Sequence, residues 1–132
     1  MKLSLQRSTR AFTLVEIMIV VAIIAMLSAI ATNNVLRARK RAQASKILDD
    51  LRTLDGALDQ WALENNKAAG DVAEFSDLSP YLKQANKLNL MATDLFGQPY
   101  GPYSVDTGAK IAPTTFSALS DVAPAEFWSP FL

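Results

Sequence analysis

The sequence predicts an α+β protein: one long N-terminal α-helix, then a small C-terminal head of short helices and a small antiparallel sheet. Two observations carry this prediction. All 6 prolines lie at or after Pro80, and the first glycine is Gly56, so the first part of the chain lacks strong helix breakers. Turn residues and aromatic residues collect in the remainder. With 132 residues, the chain is long enough for one ordinary domain and too short for two.

Composition narrows the classes of function. The chain contains no cysteine and no histidine, which excludes disulfides, zinc ligands of these types, and nucleophiles or bases built on them. The 13 basic and 13 acidic residues balance, so no overall positive charge indicates nucleic acid. The charges are nevertheless segregated. Residues 37–52 carry six cations and two acids, whereas residues 55–132 carry four lysines and ten acids, which predicts a basic collar and an acidic head.

The first element is an apolar block, residues 12–31, that contains a single charge, Glu16. Twenty helical residues span about 30 Å, the thickness of the hydrocarbon core of a bilayer. The block is longer than the roughly 7–15 apolar residues of a secretory signal peptide, and a helical pattern continues after it. We therefore expect a membrane-spanning helix over residues 12–34, with a plain single-pass anchor as the open alternative.

A carboxylate at the centre of a bilayer costs about 2.5–3.5 kcal/mol. Glu16 lies near one end of the block, where the cost is smaller, but it still needs a partner or a proton, or it must reach the headgroup region. If the chain were cut before Phe12, the new α-amine would be largely protonated at neutral pH and could neutralise Glu16 of a neighbouring chain. The residues from Arg10 to Glu16 read RAFTLVE. This segment, with its short basic leader and apolar helix, resembles the processing site of the type IV pilin family, which includes the pseudopilins of type II secretion.

The resemblance implies that a prepilin peptidase removes the leader, residues 1–11, by cutting between Ala11 and Phe12, and that Phe12 is methylated. It implies that Glu16 pairs with a neighbour's N-terminus during assembly at an inner-membrane platform. It also places the leader in the cytoplasm and the head outside the inner membrane. The chain departs from the family pattern at Ala11, where glycine is usual, so we expect slower cleavage. It also lacks the proline that many relatives carry in the apolar block.

A helical stem is predicted over residues 35–66. Apolar residues recur there at spacings of three and four, the pattern of an amphipathic helix. They are Ala44, Ile47, Leu51, Leu54, Leu58 and Trp61. We expect the helix to stop near Asn65 and Asn66. A coiled coil is the alternative, but packing of the C-terminal residues onto this stripe better explains the aromatic residues that follow.

The basic collar consists of Arg37, Arg39, Lys40 and Arg41. Such a cluster can bind anionic lipid headgroups at the membrane surface. It can also pair with acidic residues of a neighbouring subunit. DNA binding is disfavoured, because no aromatic residues interleave the cluster, and we expect no nucleic-acid partner.

The head, residues 67–132, is predicted from turn signals and short patterns. We expect a short helix over 76–83, capped by Ser or Asp and with Pro80 in its first turn. A tight turn follows at Gly97 and Pro99. We then expect a hairpin of strands 100–105 and 110–112, a short helix around 116–120, and an irregular aromatic tail, 127–131, packed on the stem.

One head segment carries a second resemblance. Asp94, Gly97, Pro99 and Tyr100 match the Asp-Pro-Trp-Gly-x-Pro-Tyr turn of the major pseudopilins of type II secretion, and the lack of cysteines favours the same branch. Those proteins carry calcium in the following loop. Calcium takes six to eight oxygen ligands. The acidic, glycine-containing loop is missing here, so we expect no calcium and no other cofactor.

These patterns predict a structural subunit and not an enzyme. The subunit would polymerise with copies of itself or related chains into a type II secretion pseudopilus or a type IV pilus-like filament that drives protein secretion. The alternatives are a minor pilin-like or DNA-uptake subunit, or a plain membrane-anchored binding protein. Asp71, Glu74 and Asp77 are the carboxylates that an enzyme would use, and we interpret them as solvated acids.

Overall fold

The computed structural model describes residues 12–82 and 92–132. The chain divides into two compact units, Met1–Leu36 and Arg37–Leu132. The predicted leader, residues 1–11, and Lys83, the predicted end of a head helix, lie outside the described residues. One long helix, several short helices and a two-stranded antiparallel sheet confirm the α+β prediction.

Helix α1 extends over Leu14–Glu64, which confirms the predicted long helix. It ends at the two asparagines that the sequence marks as a stop. Asn66 has a φ of 50°, the left-handed conformation that asparagine tolerates better than most residues. The next backbone N–H, that of Lys67, donates to the Ala62 carbonyl at 2.9 Å. This bond satisfies one of the carbonyls that a helix end leaves without a partner.

In the first unit, the helical residues 14–36 are exposed on all sides. Large apolar side chains form most of this surface. Within the described part of the chain, α1 is the one helix whose length and composition would allow it to cross a membrane. Among the described residues of this unit, none covers these apolar side chains.

The core of the second unit lies against one face of α1. All six residues of the predicted stripe are buried, as are Leu48, Ala57 and Ala62 on the same helix. The remaining core residues follow the helix in the chain: Ala73, Leu78, Leu82, Tyr100, Tyr103, Ala109, Ile111, Leu119, Ala123, Trp128 and Phe131. The prediction that the C-terminal residues cover the stripe is therefore confirmed. The coiled-coil alternative is wrong, because the chain's own head occupies that face.

The predicted hairpin is wrong. Strand β2, Tyr103–Ser104, pairs antiparallel with β1, Val72–Ala73, which the sequence analysis did not predict. In the register, Val72 lies opposite Ser104 and Ala73 opposite Tyr103. The pattern in 100–105 was compatible with a strand but did not identify its partner.

The segment 110–112 forms no strand. The backbone N–H of Ile111 donates to the Phe131 carbonyl at 2.9 Å, so the tail takes the place of the expected strand partner. Pro113 then begins a helix, which leaves no room for a longer ladder. The predicted loop between the two expected strands is present as a turn, which a bridge between Ser104 and Gly108 closes.

The short helices differ from prediction at their ends. Helix α2, Phe75–Leu78, is followed by a 3-10 turn, Ser79–Tyr81, whose first turn contains Pro80. The predicted Ser or Asp cap of α2 is wrong: Glu74 is the N-cap and forms a reciprocal capping box with Asp77.

The two C-terminal helices follow prolines. Helix α3, Pro113–Leu119, begins earlier than predicted, because proline suits the first helical position. Helix α4, Ala125–Trp128, replaces part of the tail that was expected to be irregular. The aromatic tail nevertheless packs inward as predicted, with Trp128 and Phe131 buried in the core.

Candidate functional site

The N-terminal site is built on the start of α1. The Glu16 carboxylate accepts hydrogen bonds from the backbone N–H of Thr13 at 2.8 Å and from its hydroxyl at 3.0 Å. In return, the backbone N–H of Glu16 donates to Thr13 Oγ1 at 3.2 Å. This is a capping box, which satisfies donors that the helix start would otherwise leave free. Phe12 precedes it and is exposed, whereas Ala11, the other predicted processing residue, lies outside the described residues.

The capping box gives Glu16 a partner within its own chain. Thr13 was not among the predicted site residues, although Thr-x-x-Glu before an apolar run is itself a helix-start signature. The predicted partner of Glu16, a neighbour's N-terminus, is not tested by a single chain. The structure does show that the carboxylate lies at the first turn of the helix, where the helix dipole favours a negative charge.

The basic collar lies in the second unit, at the start of its stretch of α1. Arg37, Arg39 and Arg41 are exposed, and the side chain of Lys40 is about half exposed. The Lys40 ammonium lies 2.9 Å from the carboxylate of Asp121 in the head. Lys40, with a smaller contribution from Arg37, holds the pKa of Asp121 below its ordinary value. Part of the collar is therefore paired with the head of the same chain.

The predicted head turn is a compact polar structure around Asp94. This buried carboxylate accepts the backbone N–H groups of Phe96 at 2.8 Å and of Gln98 at 2.9 Å. Its second oxygen accepts the hydroxyl of Thr115, which belongs to α3. Asp94 thus shapes the turn and ties it to a helix that follows in the chain.

Gly97 and Pro99 complete the turn as predicted. Gly97 has a φ of 76°, which most side chains disfavour, and its N–H donates to the Asp94 carbonyl at 3.1 Å. Pro99 forms a bridge with Thr93. The four motif residues Asp94, Gly97, Pro99 and Tyr100 therefore lie in one connected structure with a packing role.

Tyr100 connects this turn to α1. Its hydroxyl donates to Asp50 Oδ2 at 3.2 Å, and Asp50 Oδ1 lies 2.8 Å from the Lys46 ammonium. Burial, and then the nearby Asp50 carboxylate, raise the pKa of Tyr100 above its ordinary value, so the hydroxyl stays protonated. Asp50 was not among the predicted site residues, although it lies three residues after Ile47 and four before Leu54, on the face of the apolar stripe.

A metal ion needs several ligands that converge on one point. Within residues 12–82 and 92–132, no group of three or more acidic side chains is placed to share a metal ion. Asp94, one of the two buried acids, has both oxygens engaged by protein donors. The arrangement of Asp94 serves to hold the turn.

An exposed apolar helix segment, a capped glutamate at its start and a small head packed on the later part of the same helix are the features expected of the pilin-like class. Residues 6–32 match the family described as the prokaryotic N-terminal methylation motif. The Type II secretion system core protein G of Escherichia coli is 30% identical over 100 residues, covering 69% of each chain. The chain belongs to this family of pilin-like proteins.

Two further relatives show the breadth of the similarity. The Type II secretion system core protein G of Klebsiella pneumoniae is 38% identical over 58 residues, which cover 44% of this chain and 41% of that relative. The Type IV wide pilus major component of Thermus thermophilus is 34% identical over 80 residues, 61% of each chain. The chain thus spans about two fifths of the Klebsiella relative's length. No solved structure gives a significant match.

Proposed function

We propose that this chain is a structural filament subunit. It would be processed by a prepilin peptidase and polymerised with copies of itself or related chains into a type II secretion pseudopilus or type IV pilus-like filament that drives protein secretion. The observation that carries the proposal is the exposed apolar surface of residues 14–36. A contiguous apolar surface of this size needs lipid or other protein around it. A membrane would surround this surface with lipid before assembly, and neighbouring helices would surround it with protein after assembly. This role needs no catalytic residue.

The proposed organisation follows the predicted boundaries. Residues 1–11 are a cytoplasmic leader that is removed, and residues 12–34 are the inner-membrane anchor and later the filament core. Residues 35–66 are the stem, and residues 67–132 are the head on the outer side of the inner membrane. An inner-membrane assembly platform would extract the subunit from the lipid. Membrane lipid and other subunits are then the two partners open to the basic collar.

Processing is tested by the intact mass and N-terminal sequence of the protein from native membranes. We expect a chain that begins at Phe12 and is heavier by one methyl group in place of a hydrogen. A chain that still begins at Met1 would contradict the proposed processing and would favour a plain membrane anchor.

Assembly through Glu16 is tested by two substitutions that separate its charge from its capping role. Glu16→Ala removes both, whereas Glu16→Gln retains a side chain that can complete a capping box but carries no charge. If Glu16 neutralises a neighbour's terminus, both variants lose filaments in electron micrographs and in pelleting assays. Normal filaments from Glu16→Gln would show that the carboxylate acts only as a cap.

A further inference from the structure

A groove beside the basic collar has no role in the function proposed above. It has a volume of about 260 Å³ and is lined by both α1 and the C-terminal part of the head. We call it the basic groove; its lining residues are Arg41, Ala44, Ser45, Val122, Ala123 and Phe127. Its floor is apolar, and Arg41 supplies a positive charge at its rim. Such a groove suits an apolar side chain that is flanked by carboxylates.

The collar is divided by the helical repeat. Arg37, Arg41 and Ser45 follow each other at spacings of four, so they share the face that borders the groove. Arg39 lies two residues from Arg41, which places it on a different face. Beside the groove, Lys40 pairs with Asp121, the residue before the groove-lining Val122. Arg37 and Arg41 form no ion pair with the described residues, so their charges are available to carboxylates of a partner.

The head carries a surface of matching chemistry. Val72 is 64% exposed although it belongs to strand β1, and it lies between the exposed acids Asp71 and Glu74. We call these three residues the acidic edge. Asp71 accepts one hydrogen bond from the Ala68 N–H, and Glu74 caps α2, so both carboxylates are held in place beside Val72. The acidic edge and the basic groove share no residue.

We propose that the basic groove of one subunit binds the acidic edge of a second copy of this chain, with Val72 on the apolar floor and its flanking carboxylates facing Arg37 and Arg41. This inference rests on the proposed filament function and adds a contact between heads. Because the two surfaces differ, the contact is heterologous, and repetition of such a contact produces an open helical assembly. Charge complementarity would also disfavour pairing of two grooves or two edges.

The first test is disulfide crosslinking, since the full chain contains no cysteine of its own. Ser45→Cys and Val72→Cys in one chain should give dimers, trimers and longer species on oxidation of assembled filaments. Equal mixtures of the two single variants should give dimers only. The matched control joins Ser45→Cys with Leu63→Cys, because Leu63 is even more exposed than Val72, at 80%. A ladder that is equal in the control, or absent from filaments, would overturn the inference.

The second test reverses charges. Arg41→Glu should lower the yield of pelleted filament about tenfold or more, because like charges would then meet across the contact. Arg52→Glu makes the same change of charge at an exposed position of α1 outside both the collar and the groove lining, and should change the yield less than about twofold. The combination of Arg41→Glu with Glu74→Arg should restore the yield.

Failure of the inference is distinguishable from failure of the proposed function. Filaments that form normally with Arg41→Glu overturn the groove contact and leave the filament function intact. If that variant instead loses binding to vesicles of anionic phospholipid, the groove meets lipid and the inference is wrong. If the unmodified chain forms no filaments, the proposed function fails and the inference fails with it.

Discussion

Asp94 holds the head together through three hydrogen bonds, so its removal should lower the free energy of unfolding of the second unit. Asp94→Ala leaves the N–H groups of Phe96 and Gln98 and the Thr115 hydroxyl without their acceptor. The two turn hydrogen bonds are only part-buried, so the loss of each costs about 0.5–1 kcal/mol. Thr115 is only 1% exposed, and its orphaned hydroxyl costs about 1–3 kcal/mol. The expected total loss is about 2–5 kcal/mol.

Asp94→Asn is the matched control. Its side-chain oxygen retains the two turn hydrogen bonds, and its amide can donate to the Thr115 oxygen in place of the reverse bond. The expected loss is about 1 kcal/mol or less. Thr115→Val removes the other partner while it preserves the shape of the side chain. Asp94→Ala combined with Thr115→Val should be less destabilising than the sum of the two single variants by about 1–2 kcal/mol.

The assay is urea unfolding of the full chain in detergent micelles, followed by tryptophan fluorescence. Trp61 and Trp128 both lie in the core of the second unit, so they report on the head and stem directly. A loss under about 1 kcal/mol for Asp94→Ala, or equal losses for Asp94→Ala and Asp94→Asn, would refute the reasoning. Strict additivity of Asp94→Ala and Thr115→Val would refute the direct coupling between turn and helix α3.

Two further predictions concern the same unit. Gly108→Ala should lower the free energy of unfolding by about 1–3 kcal/mol, because Gly108 has a φ of 70° and an added Cβ would lie 2.5 Å from Asp55 Oδ1. In the control, Gly56→Ala, the added Cβ lies on a helix with no neighbouring atom within 4 Å, so this variant should raise the free energy of unfolding by about 0.5–1 kcal/mol. Equal effects of the two variants in urea melts would contradict the steric argument. Tyr103→Phe should raise the free energy of unfolding by about 1 kcal/mol at neutral pH, because the buried hydroxyl has no hydrogen-bond partner among the described residues. Burial raises the pKa of Tyr103 from 10.0 to about 12. The free energy of unfolding of the unmodified chain is therefore not lowered by this group below pH 10, and it falls as the pH rises through 12, because the unfolded chain releases the proton first. The Phe variant should therefore lose less stability over that alkaline range in pH-dependent melts, and identical alkaline profiles would contradict the assignment.

Local patterns were sufficient for the features that depend on neighbouring residues in the chain. The absence of proline and glycine before Gly56, and the spacing from Ala44 to Trp61, predicted one long helix and the face that it buries. The helix end at Asn65 and Asn66 was predictable because the tolerance for the left-handed conformation that ends a helix is a property of asparagine itself. The RAFTLVE segment and the Asp94 turn also indicated the family, since each is contiguous in the chain.

The tertiary structure alone decided which distant residues meet. Residues 100–105 read equally well as a strand whether the partner lies before or after them, and packing selected Val72–Ala73. No local pattern around Asp50 indicates that the hydroxyl of Tyr100, fifty residues later, donates a hydrogen bond to its carboxylate. Thr115 and Lys40 likewise obtain their roles from Asp94 and Asp121. Such contacts depend on how the head closes over the stem, and a one-dimensional pattern of spacing and polarity contains no information on that closure.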